Sequence, residues 1–94
     1  MKLPGFGRNE NAGKKRILIF DDDSYFAASL RRTLEMKGYY VEAISSVQRL
    51  DTKDTLTDFW HCIIADVDFE NAKLDGHVII KNRLQERGLN CPVI

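Results

Sequence analysis

The sequence predicts an α/β fold built on a parallel sheet, and three observations carry that prediction. The apolar run Ile17-Leu18-Ile19-Phe20 passes directly into three carboxylates, Asp21-Asp22-Asp23. A second apolar run, Ile63-Ile64-Ala65, ends the same way, in Asp66. Between and after them, strand-like segments alternate with helix-like ones, the pattern of right-handed βαβ crossovers. Runs as continuously apolar as the first belong to strands buried on both faces.

Taken in order, the first strand runs from Lys15 to Phe20. The helix after it spans Ser24 to Lys37, with Phe26, Leu30 and Leu34 at four-residue spacing and Ala27 beside them as its apolar stripe. Asp23 or Ser24 caps its start and Gly38 ends it. Arg31, Arg32 and Lys37 fall late in it, where positive charge suits the dipole. The second strand is Tyr39 to Ile44, with Val41, Ala43 and Ile44 as its buried members, and its mixed polarity suits a sheet edge. Ser45 or Ser46 caps a second helix from about Val47 to Leu50, cut short by the Thr- and Asp-rich stretch 51–58. Trp60 to Ala65 is the third strand. Asp66 to Leu74 reads as a polar loop, and Gly76 to Arg87 as the next helix, burying Val78, Ile79, Ile80 and Leu84. Cys91-Pro92-Val93-Ile94 begins a fourth strand.

Length and composition bound the rest. A chain of 94 residues makes one domain. Fourteen basic and fourteen acidic residues leave no net charge, so nothing argues for direct nucleic-acid contact. No apolar run reaches the length of a membrane span, and residues 1–14 lack the apolar centre of a secretory signal. Their Gly, Asn, Pro and charged residues read as a flexible leader, with residues 15–94 as the domain. Cys62 and Cys91 lack the spacing of a metal site and read as reduced core thiols of a cytoplasmic protein. His61 lies at the far end of its strand from the acid, as a structural or surface residue. The short basic runs Lys14-Lys15-Arg16 and Arg31-Arg32 read as solvated surface.

The chemistry points to the acids. Strand ends of a parallel sheet deliver their side chains to its carboxyl edge, where open α/β folds keep ligand sites. Three adjacent carboxylates cannot all stay ionised cheaply unless a cation sits among them. Capping and turn roles for Asp23 and Asp21 explain one aspartate well and three poorly. If the first and third strands are neighbours, Asp21, Asp22, Asp23 and Asp66 converge. Mg²⁺ fits such a site, because it needs few carboxylates, keeps water and leaves positions for a phosphoryl group.

These pieces together resemble the receiver domain of two-component response regulators: Ile17 to Phe20 followed by Asp21-Asp22, Ile63 to Ala65 followed by Asp66, the pair Asp75-Gly76 opening a helix, and Cys91 to Ile94 as the next strand. The separation of Asp22 from Asp66 also matches, and the resemblance covers Lys15 to Ile94. It implies a three-layer, flavodoxin-like fold with sheet order 2-1-3-4. It implies that Asp66 is a phosphoacceptor, taking a phosphoryl group from a phosphohistidine on a histidine kinase or phosphotransfer protein in bacterial phosphorelay signalling. Asp21 and Asp22 would hold Mg²⁺, with Asp66 and the backbone carbonyl of Asp68 completing the protein's share and Asp23 as a helix cap or outer acid. The chain itself would not be an enzyme.

The sequence departs from that pattern in two places. The loop after the acceptor, Asp68-Phe69-Glu70-Asn71, lacks the family's usual proline, and Asp66 to Asp75 is two residues longer than the common form. The chain also stops at the start of strand four. It therefore lacks the Ser or Thr after that strand, the Lys after strand five, the fifth strand itself and two helices. A truncated receiver of roughly 80 ordered residues has a marginal core. Its open edge and uncovered face imply self-association through strand four or that face. A piece of a longer protein is the alternative.

Two competing readings follow. One is a receiver-like module that takes no phosphoryl group and works by dimerising or occupying a partner. The other is a fragment of a haloacid-dehalogenase phosphatase, whose Asp-x-Asp motif is matched by Asp21-x-Asp23 and Asp66-x-Asp68. That family expects Thr or Val two residues beyond its second Asp, where this chain has Tyr25 and Glu70.

Overall fold

The computed structural model describes residues 13–52, 55–57 and 59–94, so residues 1–12 of the expected leader lie outside the described residues. The elements are β1 (Arg16–Phe20), α1 (Ser24–Met36), β2 (Tyr40–Ile44), α2 (Val47–Thr52), β3 (Cys62–Ala65), α3 (Phe69–Ala72) and α4 (Gly76–Glu86). All strand pairs are parallel and the order is β2-β1-β3. Phe20 stands opposite Ile44 on one side and Ala65 on the other. Beyond β3, residues 92–94 form a fourth-strand stub. Ile63 N–H donates to Pro92 O at 2.9 Å, Ile94 N–H to Ile63 O at 2.8 Å, and Ala65 N–H to Ile94 O at 2.9 Å. The stub extends the order to 2-1-3-4, as the sequence predicts.

The two sheet faces are covered unequally. Leu18, Phe20, Ile44, Ile63 and Ala65 face α2 and α4 and meet Leu50, Phe69, Ile80, Leu84 and Cys91 in one sealed core. Complete burial of an aliphatic or aromatic side chain stabilises by about 1.5–3 kcal/mol. The opposite face holds a smaller cluster, Ile17, Ile19, Ala27 and Val41, with Leu30, Leu34 and Ile64 half-buried around it. Of the described helices, α1 is the one that packs there, over β1 and β2. Arg83 of α4 clasps Asp51 of α2 through two nitrogens at 2.8 and 3.1 Å, tying the sealed face together at its surface.

Several expectations about single residues are corrected. Phe26 is exposed, because the buried row of α1 is Ala27, Leu30 and Leu34 instead. Val78 is also exposed; α4 buries Gly76, Ile80 and Leu84. Ala43 is exposed in a groove of about 400 Å³ beside α1, where the facing Ala27 and Ala28 are too small to close over it. Trp60 precedes β3, but it is buried, and its indole N–H donates to Thr55 O at 2.7 Å. Arg16 is no solvated lysine-like charge: its guanidinium lies 4.2 Å from the Tyr40 ring centre and 5.0 Å from that of Trp60. The expected polar loop after Asp66 contains α3, whose Phe69 is completely buried.

Candidate functional site

Each acid reaches the site for a local reason. β1 and β3 run parallel and in register, so Asp21 and Asp66 both leave the same rim. Asp66 N–H donates to Phe20 O at 3.0 Å, which continues the ladder past the end of β3. Asp21 N–H likewise donates to Ile44 O of β2 at 3.1 Å. The next residues turn away. Asp21 Oδ1 accepts the N–H of Asp23 at 2.8 Å, and Asp23 Oδ1 accepts from Tyr25 and Phe26 at 3.1 and 3.0 Å. Asp23 is therefore the N-cap of α1, a role worth about 1 kcal/mol.

Asp21, Asp22 and Asp66 each offer a carboxylate oxygen, and these oxygens lie within 4.8 Å of one another. Small rotations would bring them around an ion with ligands at about 2.1 Å. Asp21 is buried, Asp66 half-buried and Asp22 exposed. Burial pushes the Asp21 carboxyl above the usual carboxylate range. The donated Asp23 N–H opposes that shift, while the negative charges of Asp66 and Asp22 add to it. A hard cation would stabilise an acid buried against two others, and an all-oxygen donor set is of the kind that Mg²⁺ or Ca²⁺ takes.

The end of β3 is held from behind by α4. Gly76 N–H donates to Asp66 O at 2.9 Å, and a Cβ at position 76 would collide with that same carbonyl. Glycine is needed there for space, while Asp75 caps α4 by accepting from His77 and Val78. This explains why the pair Asp75-Gly76 follows the acidic strand end.

The loop after Asp66 folds back over the acids. Asp66 Oδ1 accepts the N–H of Asp68 at 3.0 Å. Phe69 stacks on Phe20 with ring centres 4.3 Å apart and planes 13° apart. Glu70 then takes φ 53°, a left-handed conformation that costs a non-glycine residue on the order of 1–2 kcal/mol. Its N–H donates to Asp22 Oδ2 at 2.7 Å. Sequence reasoning places Asp68 and Glu70 beside the site as extra acids, but it missed the burial of Phe69 and the contact that Glu70 makes through its main chain. The lone aromatic residue in a loop rich in acids was the available signal, since a large ring among acids needs a core to enter. The rim itself is open: the groove along α1 touches the acids only through Asp21, and Tyr25 and Val67 stand exposed beside them.

No family model matches the sequence. The chain is 28% identical over 79 residues to the C4-dicarboxylate transport transcriptional regulatory protein DctD of Pseudomonas aeruginosa, covering 84% of this chain and 16% of that protein. Three solved structures are similar in fold. The response regulator TrrA of Thermotoga maritima, solved in complex with Mg²⁺-BeF, is 19% identical with a TM-score of 0.61, over 79% of this chain and 62% of the other. A response regulator of Burkholderia pseudomallei, with a phosphorylated aspartic acid, a calcium ion and citrate, is 23% identical with a TM-score of 0.65, over 85% and 46%. A CheY-like receiver domain protein of Methanospirillum hungatei is 24% identical with a TM-score of 0.61, over 85% and 62%. The chain thus spans less than two thirds of each of these proteins. It has the receiver fold of response regulators, and it resembles their receiver domains in the order of its motifs.

Proposed function

We propose that residues 15–94 act as a phosphoaccepting receiver unit, with Asp66 as the acceptor and Mg²⁺ as the cofactor. The observation that supports this best is the convergence of Asp21, Asp22 and Asp66 from two strand ends around one point. Asp21, Asp22, Asp66 and the backbone carbonyl of Asp68 would hold the ion, which when bound would neutralise charge on the phosphoryl oxygens. The Asp66 carboxylate attacks phosphorus in line. An O–P bond forms as the P–N bond of the donor phosphohistidine breaks, and the imidazole nitrogen leaves with the electron pair. The Asp68 N–H and the Gly76 clamp keep the Asp66 carboxylate and backbone in place. Asp21 contributes charge to the cation site, and Asp23 stays on the helix.

The donor is a histidine kinase or phosphotransfer protein, which suits a rim open enough for a protein side chain to enter. That partnership places the chain in the cytoplasm, and no described helix is long and apolar enough to cross a membrane. Half-buried Cys62 and Ile64, with exposed Ile94, make the α1 face of β3 the surface for self-association. The phosphatase reading loses its first Asp-x-Asp pair, because Asp23 is engaged in capping α1.

Intact mass after incubation with acetyl phosphate and Mg²⁺ tests the proposal. One phosphoryl adduct is expected, absent from Asp66→Asn. No adduct on a chain that still binds Mg²⁺ would favour the module that only binds partners.

A further inference from the structure

We propose that Glu70 is a positioning residue for Asp22, acting through its main-chain N–H rather than its carboxylate. The inference rests on the reading of Asp22 as a metal-binding acid and adds a second residue to that role. Among the described residues, Glu70 is the one non-glycine with positive φ. The conformation turns its N–H toward a carboxylate 48 positions away in sequence, at 2.7 Å from Oδ2. A bond to a charged acceptor at this length is of the stronger kind.

The conformation is imposed by what lies on either side. Phe69 is buried and stacked on Phe20, the residue that precedes Asp21-Asp22 on β1. Leu74 N–H returns to Phe69 O at 3.0 Å and Lys73 N–H to Glu70 O at 3.2 Å, closing the loop. One aromatic stack therefore fixes the distance between the loop and the strand end that carries the acids. Asp22 is exposed and would otherwise sample several rotamers. With Oδ2 tethered, the carboxylate is oriented before an ion arrives. Partners of this kind behind a ligand typically change metal affinity by about 10- to 100-fold when removed. A proline in this loop, the feature that the sequence lacks, would have no N–H to give.

The test uses Mg²⁺ alone, titrated calorimetrically into the full chain. Glu70→Pro removes the N–H and the left-handed conformation, and Glu70→Val disfavours the conformation while keeping the N–H. Glu70→Gly keeps both, and Glu70→Gln removes only the charge. Glu70→Pro and Glu70→Val are expected to weaken Mg²⁺ by about tenfold, with Glu70→Gly and Glu70→Gln within threefold of the parent. In parallel, the amide proton resonance of residue 70 should move upfield in Asp22→Asn, a response that a purely structural loop would not give. If Glu70→Pro fails to fold, Glu70→Val carries the test. Binding within threefold of the parent by that variant overturns the inference alone, as does loss of affinity in Glu70→Gln. A parent chain that takes up no Mg²⁺ overturns the reading of the site and this inference with it.

Discussion

The two rims of the sheet are built on opposite principles. At the amino rim, a cation is set against aromatic rings and an acid. The Arg16 guanidinium lies against the rings of Tyr40 and Trp60 and within 3.8 Å of Glu42, although its Nε is buried without a hydrogen-bond partner among the described residues; the Tyr40 hydroxyl donates to Glu42, and the Arg16 main-chain N–H donates to His61 Nδ1 at 2.9 Å. At the carboxyl rim, three acids face one another, and among the described residues no basic side chain forms an ion pair with any of them. The first arrangement closes a fold. The second crowds like charges together, a condition that a bound cation would relieve, and on the proposed function this difference separates the structural end of the domain from the chemical one.

The contrast can be broken from either side. The largest effect is expected at the amino rim. Trp60→Ala should cost about 3–5 kcal/mol, typical of a buried aromatic deletion, and the loss measured by urea unfolding should be the same with and without Mg²⁺. A Mg²⁺-dependent loss would mean that the rims are not independent.

Next comes the scaffold of the carboxyl rim. In Gly76→Ala the new methyl must push the Asp66 carbonyl aside, at an expected cost of about 1–3 kcal/mol. Because the displaced carbonyl belongs to Asp66, the proposed function expects adduct formation with acetyl phosphate to fall as well. Unchanged stability and labelling would show that α4 does not hold Asp66 in place.

The smallest effect has the opposite sign. Asp21→Asn should raise stability in Mg²⁺-free buffer, by on the order of 1 kcal/mol or less, or up to about 4–8 °C in Tm. The pH dependence follows from linkage. The folded Asp21 carboxyl titrates above its unfolded value, so the native state binds more protons between the two. The parent therefore gains stability as pH falls through the raised value and loses it as pH rises. The advantage of Asp21→Asn should shrink on acidification and vanish below the unfolded carboxylate range. A destabilised variant at neutral pH would deny that crowding of acids is a strain on the fold.

Much of this was legible in the residues. Apolar runs ending in acids gave β1, β3 and the rim they share, and Asp23 and Gly38 marked helix ends by their side-chain and backbone chemistry. What stayed hidden depends on neighbours that no local pattern reveals. Arg16 looks like the end of a basic run until Tyr40 and Trp60 are brought over it by strand pairing. Phe26 satisfies helical spacing, yet of the expected stripe only Ala27, Leu30 and Leu34 face the sheet and Phe26 falls outside it, because the sheet's position selects the row. Ala43 has a strand's alternation but no large partner opposite. Phe69 and Glu70 sit in a stretch whose polarity reads as loop, and their role appears only once Phe20 and Asp22 stand next to them.

On the proposed function, the acids of two strand ends share one cation. Calorimetric titration of Mg²⁺ into the parent, Asp22→Asn and Asp66→Asn is the sharpest test. One site is expected in the parent, weakened strongly in both variants. Two independent weak sites, or binding untouched by either substitution, would rule a shared site out.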